Sequence, residues 1–328
     1  MKLFDVSLAC LCAALINCSL FAATPVWAED EQRAVLVTGA STGIGRLVAE
    51  KLAADGHFVY AGARKAEDIA ALSAIENVQG IRLDVTLQGE IDAAVALVEA
   101  GGRGLYAVVN NAGVNVLAPL IEIDEDELDF LFDVNIYGPY RITRAFAPMI
   151  IESQGRISNI SSISGTLSGP LYGIYSMSKH ALEAYTDTLA IEMEILGVHV
   201  SAVEPGNFKT NIFHNRCDRM LARGYSAEGS RFEEFVAPRV EQCRNRPDDP
   251  DPEPHLVADA VSHALFDANP KAHYLVVPEQ RQAGWTIRKA IEELVSLNAD
   301  HEFSYSRDEL VQMLDEQMAP AGDRGATQ

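Results

Sequence analysis

The sequence predicts an α/β domain in which helices cover both faces of one doubly wound parallel sheet, with a helical extension at the carboxyl end. An apolar run at 34–38 leads into a glycine-rich turn and then into a helical pattern that continues to Ala54. The alternation of strand and helix patterns continues without a break to a last strand at 274–277. Hydrophobic residues make up 48% of the 328 residues, which is enough for a buried core. We therefore interpret residues 29–328 as a single domain.

The glycine-rich turn after the first strand predicts a dinucleotide site. Its glycines have the spacing Gly-x-x-x-Gly-x-Gly, at Gly39, Gly43 and Gly45. We expect Gly39 to permit a tight turn, Gly43 to let a pyrophosphate approach the backbone, and Gly45 to let the helix pack closely on the sheet. The helix that follows offers unpaired N–H groups and a partial positive charge to phosphates. Alternatively, these glycines serve only to turn the chain into the helix.

The end of the second strand bears on the choice of cofactor. The pattern predicts this strand at 57–62, followed by Ala63, Arg64 and Lys65. A carboxylate at the strand end would accept hydrogen bonds from the adenosine ribose and favour NAD, but Ala63 occupies that position. Arg64 is placed to pair with a 2′-phosphate, so the sequence favours NADP, with NAD as the alternative. In the other interpretation, Arg64 and Lys65 are a solvated pair that opens the next helix.

A tyrosine and a lysine in the second half of the chain predict acid/base chemistry. Tyr175 and Lys179 are four residues apart and therefore share one face of a helix, and Ser162 lies thirteen residues before the tyrosine. A phenol has a pKa of about 10 in water, which is too high for ready proton exchange at neutral pH. A nearby ammonium group favours the phenolate and lowers that pKa. Ser162 can hold a substrate oxygen with its hydroxyl group.

These motifs occur in the order found in one enzyme family. From 34 to 277 the chain resembles the classical short-chain dehydrogenase/reductase family, whose domain is a Rossmann-type sheet. Beyond the glycine turn and the serine, tyrosine and lysine, the matching positions are Asp84-Val85, Asn110-Asn111-Ala112-Gly113, Asn135, Pro205-Gly206 and Thr210. Asn110 and Asn111 are expected to brace the end of the central strand.

The resemblance implies a role for each matching position. Tyr175 exchanges a proton with the substrate oxygen, which Ser162 orients. Lys179 lowers the pKa of the phenol and hydrogen-bonds the nicotinamide ribose, and Asn135 anchors a water that links the lysine to solvent. The cofactor supplies the hydride. The residues expected to contact the cofactor are Gly39, Ser41, Gly43, Ile44, Gly45, Arg64, Asp84, Val85, Asn111, Ala112, Gly113, Tyr175, Lys179, Pro205, Gly206 and Thr210.

An insertion at about 212–254 follows the Pro205-Gly206 segment, where the resemblance places a mobile lid over the substrate. Its apolar and aromatic residues either line an apolar pocket or pack the lid against the body of the domain; they are Ile212, Phe213, Tyr225, Phe232 and Phe235. The insertion also contains Cys217 and Cys243, which would pair in an oxidising compartment and remain thiols in cytosol. The sequence leaves both questions open.

The carboxyl end beyond Val277 extends past the family core. Periodic apolar residues predict a helix at 282–298 and a second helix at 306–318, with Ser306 as the cap of the second helix. We expect this extension, at about 282–318, to pack beside the substrate cleft or at a subunit contact.

The amino-terminal segment resembles a secretory signal peptide at residues 1–28. Lys2 precedes a mostly apolar stretch at 6–23, and Val26-Trp27-Ala28 has the small-x-small pattern of a cleavage site. An uncleaved membrane anchor is the alternative. The segment favours export to the periplasm or membrane association, whereas the need for a nicotinamide cofactor favours the cytoplasm if the segment is not functional.

The formal charge of −21 argues against nucleic acid as a partner, because a strongly acidic surface repels polyanions. The cysteines and histidines have no metal-binding spacing, so we predict no metal site.

Together these observations predict an NADP-preferring alcohol dehydrogenase or carbonyl reductase. The carboxyl-terminal extension and the run from Glu204 to Thr210 resemble the retinol and hydroxysteroid dehydrogenase branch, which implies a lipophilic alcohol, preferentially a secondary one, and the ketone or aldehyde that corresponds to it. A catalytically idle NADP-binding sensor or scaffold is the alternative. The resemblance also implies a dimer or tetramer assembled on two long helices at about 124–150 and 172–196.

Overall fold

The computed structural model describes residues 32–246, 248 and 250–319. The strands are β1 Ala34–Val37, β2 Phe58–Ala63, β3 Val78–Arg82, β4 Ala107–Asn110, β5 Arg156–Ile160, β6 His199–Pro205 and β7 His273–Val276. The helices are α1 Gly43–Ala54, α2 Ala66–Ser73, α3 Gln88–Ala100, α4 Glu125–Phe132, α5 Gly138–Glu152, α6 Gly173–Glu194, α7 Ile212–Ala222, α8 Glu233–Asn245, α9 His255–Phe266, α10 Gln280–Leu297 and α11 Arg307–Met318. The predicted signal peptide at 1–28 lies outside the described residues.

The seven strands form one parallel sheet in the order β3-β2-β1-β4-β5-β6-β7. From β1 the chain adds β2 and then β3 on one side of the sheet. It then returns to the centre and adds β4 on the other side of β1. The carboxyl ends of β1 and β4 therefore form the switch point at which open α/β sheets bind their ligands. This arrangement confirms the predicted doubly wound fold.

Helices cover both faces of the sheet. Successive residues of a strand point to opposite faces, so each strand contributes apolar side chains to two cores, one beneath each layer of helices. Val35 and Val37 of β1 join the core beneath α1 and α9. Ala34 and Leu36 join the core on the other face, beneath α3, α5 and α6. The continuous apolar runs of the strands are thus explained by burial on both sides.

The long helix predicted at 124–150 is interrupted in the structure. α4 ends at Phe132, a π-helical turn covers Asp133–Tyr137, and α5 begins at Gly138. A single π turn inside a helix often marks a functional position. The second long helix, α6, matches its prediction to within two residues at each end.

The lid consists of α7 and α8, joined by a disulfide between Cys217 and Cys243. Both cysteines are buried in a small apolar cluster that includes Met220 and Val236, which answers the question of pairing that the sequence left open. The aromatic residues divide between the two predicted roles. Phe213, Tyr225 and Phe232 pack against this cluster, Ile212 and Phe213 also line the cleft, and Phe235 is exposed.

The carboxyl-terminal extension contacts the domain mainly through its first turns. Gln282 and Thr286 are the buried residues of α10, and α11 has none. The apolar side chains of α10 are about half exposed; they include Trp285, Ile287, Ile291 and Leu294. The predicted cap is confirmed, because Ser306 and Glu309 form a reciprocal capping box. Within the described residues, no helix combines the length and hydrophobicity needed to cross a membrane.

The imidazole of His273 links β7 to three carboxylates on neighbouring elements. Its Nδ1 lies 2.8 Å from Glu204 and 3.6 Å from Glu183, and its Nε2 lies 2.9 Å from Asp187. Hydrogen bonds that the ring donates to Glu183 and Glu204 raise the pKa of His273 from 6.5 to about 10. The protonated ring therefore holds the edge strand to β6 and α6.

We expect this interaction to make folding stability depend on pH. Because the folded-state pKa of His273 is raised, its contribution is complete below about pH 6.5 and is lost as the pH rises toward 10. The free energy of unfolding in urea should therefore fall over that interval in wild type, and His273→Gln should flatten the fall. His301→Gln, at an exposed histidine, serves as the control. Equal slopes for wild type and His273→Gln would contradict the assignment.

Candidate active site

A cleft of about 560 Å³ lies at the carboxyl ends of the strands, where the order of the sheet reverses. Nearly all of the predicted site residues line it. They are Gly39, Ser41, Gly43, Ile44, Arg64, Asp84, Val85, Asn111, Ala112, Gly113, Ser162, Tyr175, Lys179, Pro205, Gly206 and Thr210. Gly45 and Asn135 do not line the cleft, and both lie directly behind residues that do.

The glycine turn has a backbone that side chains would disrupt. Gly39 and Gly43 have φ values of +64° and +58°, which L residues rarely adopt. A β-carbon at Gly39 would lie 2.8 Å from the Cα of Ala112. Gly45 packs so closely that a β-carbon would collide with the side chain of Asn111 and the carbonyl of Gly39. The turn therefore leaves its backbone open to the cleft and presses α1 against the sheet.

Hydrogen bonds between the ends of β1 and β4 hold this turn in place. The amide of Asn111 donates to the carbonyls of Thr38 and Gly39 over 2.9 and 3.0 Å. The backbone N–H groups of Asn111 and Ala112 donate to the hydroxyl of Thr38, each over 3.0 Å. Asn110 donates to Thr143 and Asn159 deeper in the core. The two asparagines thus brace the strand end, as the sequence predicted.

Arg64 stands at one end of the cleft, directly after β2. Its guanidinium lies 3.8 Å from Asp84 and its side chain is 63% exposed, so it is free to turn toward a ligand. Asp84 also accepts hydrogen bonds from the backbone and the hydroxyl of Thr86. The strand-end residue Ala63 is 2% exposed and offers no carboxylate.

The predicted catalytic side chains come from α6 and from the loop after β5. α6 carries Tyr175 and Lys179 on one face, and Ser162 caps the short 3-10 turn Ile163–Gly165. The ammonium of Lys179 donates to the carbonyl of Ile160 over 2.9 Å and lies 5.7 Å from the ring centre of Tyr175. Lys179 is only 5% exposed. The three side chains therefore converge at one point of the cleft wall.

Burial controls the protonation of this group. Burial raises the pKa of Tyr175 to about 12, although a hydrogen bond with Ser162 opposes the rise. Burial lowers the pKa of Lys179 to about 8, and the charge of Glu183 opposes that fall. In the protein alone the pKa of the phenol is therefore raised and not lowered as predicted, because desolvation of the phenol outweighs the effects that lower it. At neutral pH the phenol holds its proton.

Asn135 occupies the π turn between α4 and α5 and is 1% exposed. Its amide donates to the carbonyl of Val114 over 3.0 Å and to the hydroxyl of Ser178 over 3.1 Å. Its Oδ1 accepts a hydrogen bond from the backbone N–H of Val114 over 2.8 Å. Both amide hydrogens are thus used by protein groups. The side chain fixes the loop after β4 against α6, and its role in anchoring a water stays a prediction.

Some residues in and behind the cleft were not predicted from the sequence. Gln282 of α10 is 3% exposed and supports the cleft from behind, because its Oε1 accepts a hydrogen bond of 2.7 Å from the backbone N–H of the lining residue Asn207. A lone glutamine at the start of an amphipathic helix gives no sign of this contact. Asn115 and Arg216 line the cleft itself and are each 8% exposed. They lie in segments without a motif.

The cleft has a polar end and an apolar end. The polar end runs from Arg64 past the glycine turn, and its volume and exposed backbone fit a dinucleotide. The apolar end lies beyond Tyr175 and is bounded by the lid. Its large side chains are Leu167, Tyr172, Phe208, Ile212 and Phe213.

Comparison with known proteins agrees with this geometry. Residues 33–220 match the short chain dehydrogenase family. The chain is 31% identical over 264 residues to the mitochondrial D-beta-hydroxybutyrate dehydrogenase of Rattus norvegicus, covering 74% of this chain and 76% of the relative. A solved short-chain dehydrogenase from Streptomyces avermitilis matches with a TM-score of 0.66 and 32% identity, over 88% of this chain and 98% of the other. The NADP-bound structure of ElxO matches with a TM-score of 0.60 and 25% identity, over 75% and 97% of the two chains.

These matches do not single out the retinol and hydroxysteroid branch, which stays a prediction. The match to the family covers the glycine turn, the Asn-Asn-Ala-Gly segment and the serine, tyrosine and lysine that meet in the cleft. On the evidence of fold, site geometry and similarity together, the chain belongs to the short-chain dehydrogenase family.

Proposed function

We propose that the protein is an NADP-preferring oxidoreductase that interconverts a largely apolar secondary alcohol and its ketone. The observation that carries the proposal is the convergence of Ser162, Tyr175 and Lys179 in the cleft that also contains the glycine turn. The apolar end of the cleft supports a lipophilic substrate body. A steroid alcohol, which the sequence resemblance implies, is one such substrate; a retinoid, the other class that the resemblance implies, is a primary alcohol and gives the aldehyde.

The protein side of the reaction follows from the protonation states. The bound nicotinamide supplies or accepts the hydride. In ketone reduction, the Ser162 hydroxyl donates to the carbonyl oxygen and holds it beside Tyr175. The phenol then gives its proton to that oxygen. Its raised pKa keeps the phenol protonated at neutral pH, so the proton is available for the transfer. Lys179, buried behind the phenol, stabilises the phenolate that this transfer leaves.

The preference for NADP rests on the polar end of the cleft. Ala63 places no carboxylate where it would repel a 2′-phosphate, and Arg64 is exposed beside it. The guanidinium can form a charge-assisted pair with that phosphate. The NADP-bound structure of ElxO supports the same choice.

Replacing the phenol tests the catalytic assignment. We expect Tyr175→Phe to lower kcat by about 10²- to 10⁴-fold, because it removes the only hydroxyl assigned to proton transfer. NADPH binding, followed by nicotinamide fluorescence, should change little. Tyr172→Phe removes a neighbouring hydroxyl at the N-cap of α6 and should cost less than about 10-fold. A Tyr175→Phe protein as active as wild type would exclude the mechanism. Wild-type protein that binds NADPH but reduces no ketone would favour the idle NADP-binding scaffold.

Replacing Arg64 tests the choice of cofactor. We expect wild type to bind NADPH more tightly than NADH, and Arg64→Met to weaken NADPH binding by about 10- to 100-fold. NADH binding should change little, because the only other contact that the variant removes among the described residues is the long, exposed ion pair with Asp84, which is weak. Lys65→Met changes the adjacent exposed charge and serves as the control. Equal affinity for the two nucleotides in wild type would refute the preference.

We also propose that the protein is a homo-oligomer assembled on α5 and α6. Both helices expose large apolar side chains, including Tyr140 on α5 and Ile191 on α6, which are 46% and 71% exposed. Sedimentation equilibrium should show a dimer or tetramer. Ile191→Asp should shift the association equilibrium toward monomer, because it places a charge in the contact between subunits. Leu297→Asp, at an exposed position of α10, should not. A monomeric wild type would rule out the assembly.

A further inference from the structure

Three arginines follow one stripe of the lid helix α7 and its C-cap: Arg216 and Arg219 lie in the helix, and Arg223 is the C-cap. Two of them have carboxylate partners on the helix opposite. Arg219 and Arg223 each lie 2.7 Å from Glu127, and Arg223 lies 2.8 Å from Asp126. These pairs compensate the buried carboxylate of Glu127, which is 7% exposed. The lid is thereby joined to α4 with its charges matched.

Arg216 is the exception on this stripe. It is 8% exposed, and no carboxylate of the described residues lies within ion-pair distance of it. Its guanidinium donates one long hydrogen bond, of 3.5 Å, to the hydroxyl of Tyr172, and it lies 5.0 Å from the ring centre of Phe213. Its Nε is buried without a hydrogen-bond partner.

An unpaired arginine in this setting is costly. Burial lowers the pKa of Arg216, yet a guanidinium remains charged in proteins. A buried charge without a counter-charge destabilises the fold. The nearby Arg239 adds repulsion instead of relief. The two weak aromatic contacts do not replace a counter-ion, and among the described residues none supplies one, so an anionic ligand would be stabilised here.

The surroundings of Arg216 show where that ligand enters. Arg216 lines the active-site cleft and also an adjoining cavity of about 300 Å³ between α7 and the loop at 115–124. Asn115 lines both spaces as well, is 8% exposed and has an Oδ1 with no partner. A side-chain rotation would present its N–H₂ group as a second donor. Two buried, unsatisfied polar side chains therefore meet at the junction of the cleft and the cavity.

We propose that Arg216 binds a carboxylate of the substrate, so that the substrates are an oxo acid and the matching hydroxy acid. The planar guanidinium matches a carboxylate in shape, and the apolar side chains among the cleft residues, such as Leu167, Ile212 and Phe213, suit a hydrocarbon body. The oxo group lies at Ser162 and Tyr175. The hydride of NADPH reaches the carbonyl carbon and the proton of Tyr175 reaches the oxygen, which gives the alcohol, while the carboxylate is unchanged. This inference rests on the proposed function.

A series of matched substrates tests the assignment. The probes are straight-chain oxo acids that begin with levulinate and lengthen one methylene at a time, each beside its methyl ester. Wild type should turn over at least one acid with a kcat/KM about 10-fold or more above that of its ester. Arg216→Met should raise KM for that acid by about 10- to 100-fold. It should change KM for the methyl ester by less than about 3-fold. Arg216→Lys should recover part of the loss.

Control measurements separate this role from a structural one. Arg239→Met removes another arginine that lines the cleft and should keep the preference for the acid. The proposal would be overturned if Arg216→Met lowered kcat/KM for the acid and for the ester to the same extent. It would also be overturned if wild type had the higher kcat/KM for the esters. A weaker affinity for NADPH in Arg216→Met with an unchanged acid-to-ester ratio would instead assign Arg216 to the cofactor and also overturn it.

A binding experiment keeps the inference testable if none of these ketones is reduced. Hexanoate and methyl hexanoate are titrated by calorimetry into the protein saturated with NADP. Hexanoate should bind more tightly to wild type, and Arg216→Met should abolish the difference; no difference in wild type overturns the carboxylate site. Different results would contradict the proposed function itself. They are a wild type that does not bind NADPH, or a Tyr175→Phe variant that turns over substrate as fast as wild type.

Discussion

The hydrogen bonds between the ends of β1 and β4 are the constraint on which the rest of this site depends. Asn111 and the hydroxyl of Thr38 satisfy the backbone groups that are left when the two strands diverge. This bracing fixes the glycine turn, and the close packing of Gly45 against Asn111 brings α1 onto the sheet. The cofactor end of the cleft is therefore preformed, because the groups that shape it are already hydrogen-bonded to one another.

A second layer of support holds the catalytic end. Asn135, in the π turn, fastens the loop after β4 to Ser178 of α6. The carbonyl of Ile160, at the end of β5, receives the ammonium of Lys179. Two strand ends and one helix are thus held together by buried polar contacts. Their burial also sets the chemistry, since removal from water raises the pKa of the phenol and lowers that of the lysine.

The lid combines a covalent link with matched charges and one unmatched charge. The disulfide between Cys217 and Cys243 ties α7 to α8, and the pairing with Glu127 ties α7 to α4. Arg216 directly precedes Cys217 in α7. The disulfide to α8 and the ion pairs with Glu127 of α4 therefore both fix its position at the cleft. A group that is held this firmly and still lacks a counter-charge is suited to recognising an anion. Under the proposed assignment of Arg216, the lid would contribute to the choice of substrate.

Local patterns in the sequence were enough to predict the order of strands and helices, the glycine turn and the spacing of Tyr175 and Lys179. Strand and helix periods and turn residues act over a few neighbouring positions, so they can be read without the fold. The tertiary structure alone decided the pairing of Cys217 with Cys243, the π turn at Asn135 and the missing partner of Arg216. It also reversed the expected direction of the Tyr175 pKa. These features depend on contacts and burial between residues far apart in the chain, which only the folded structure brings together.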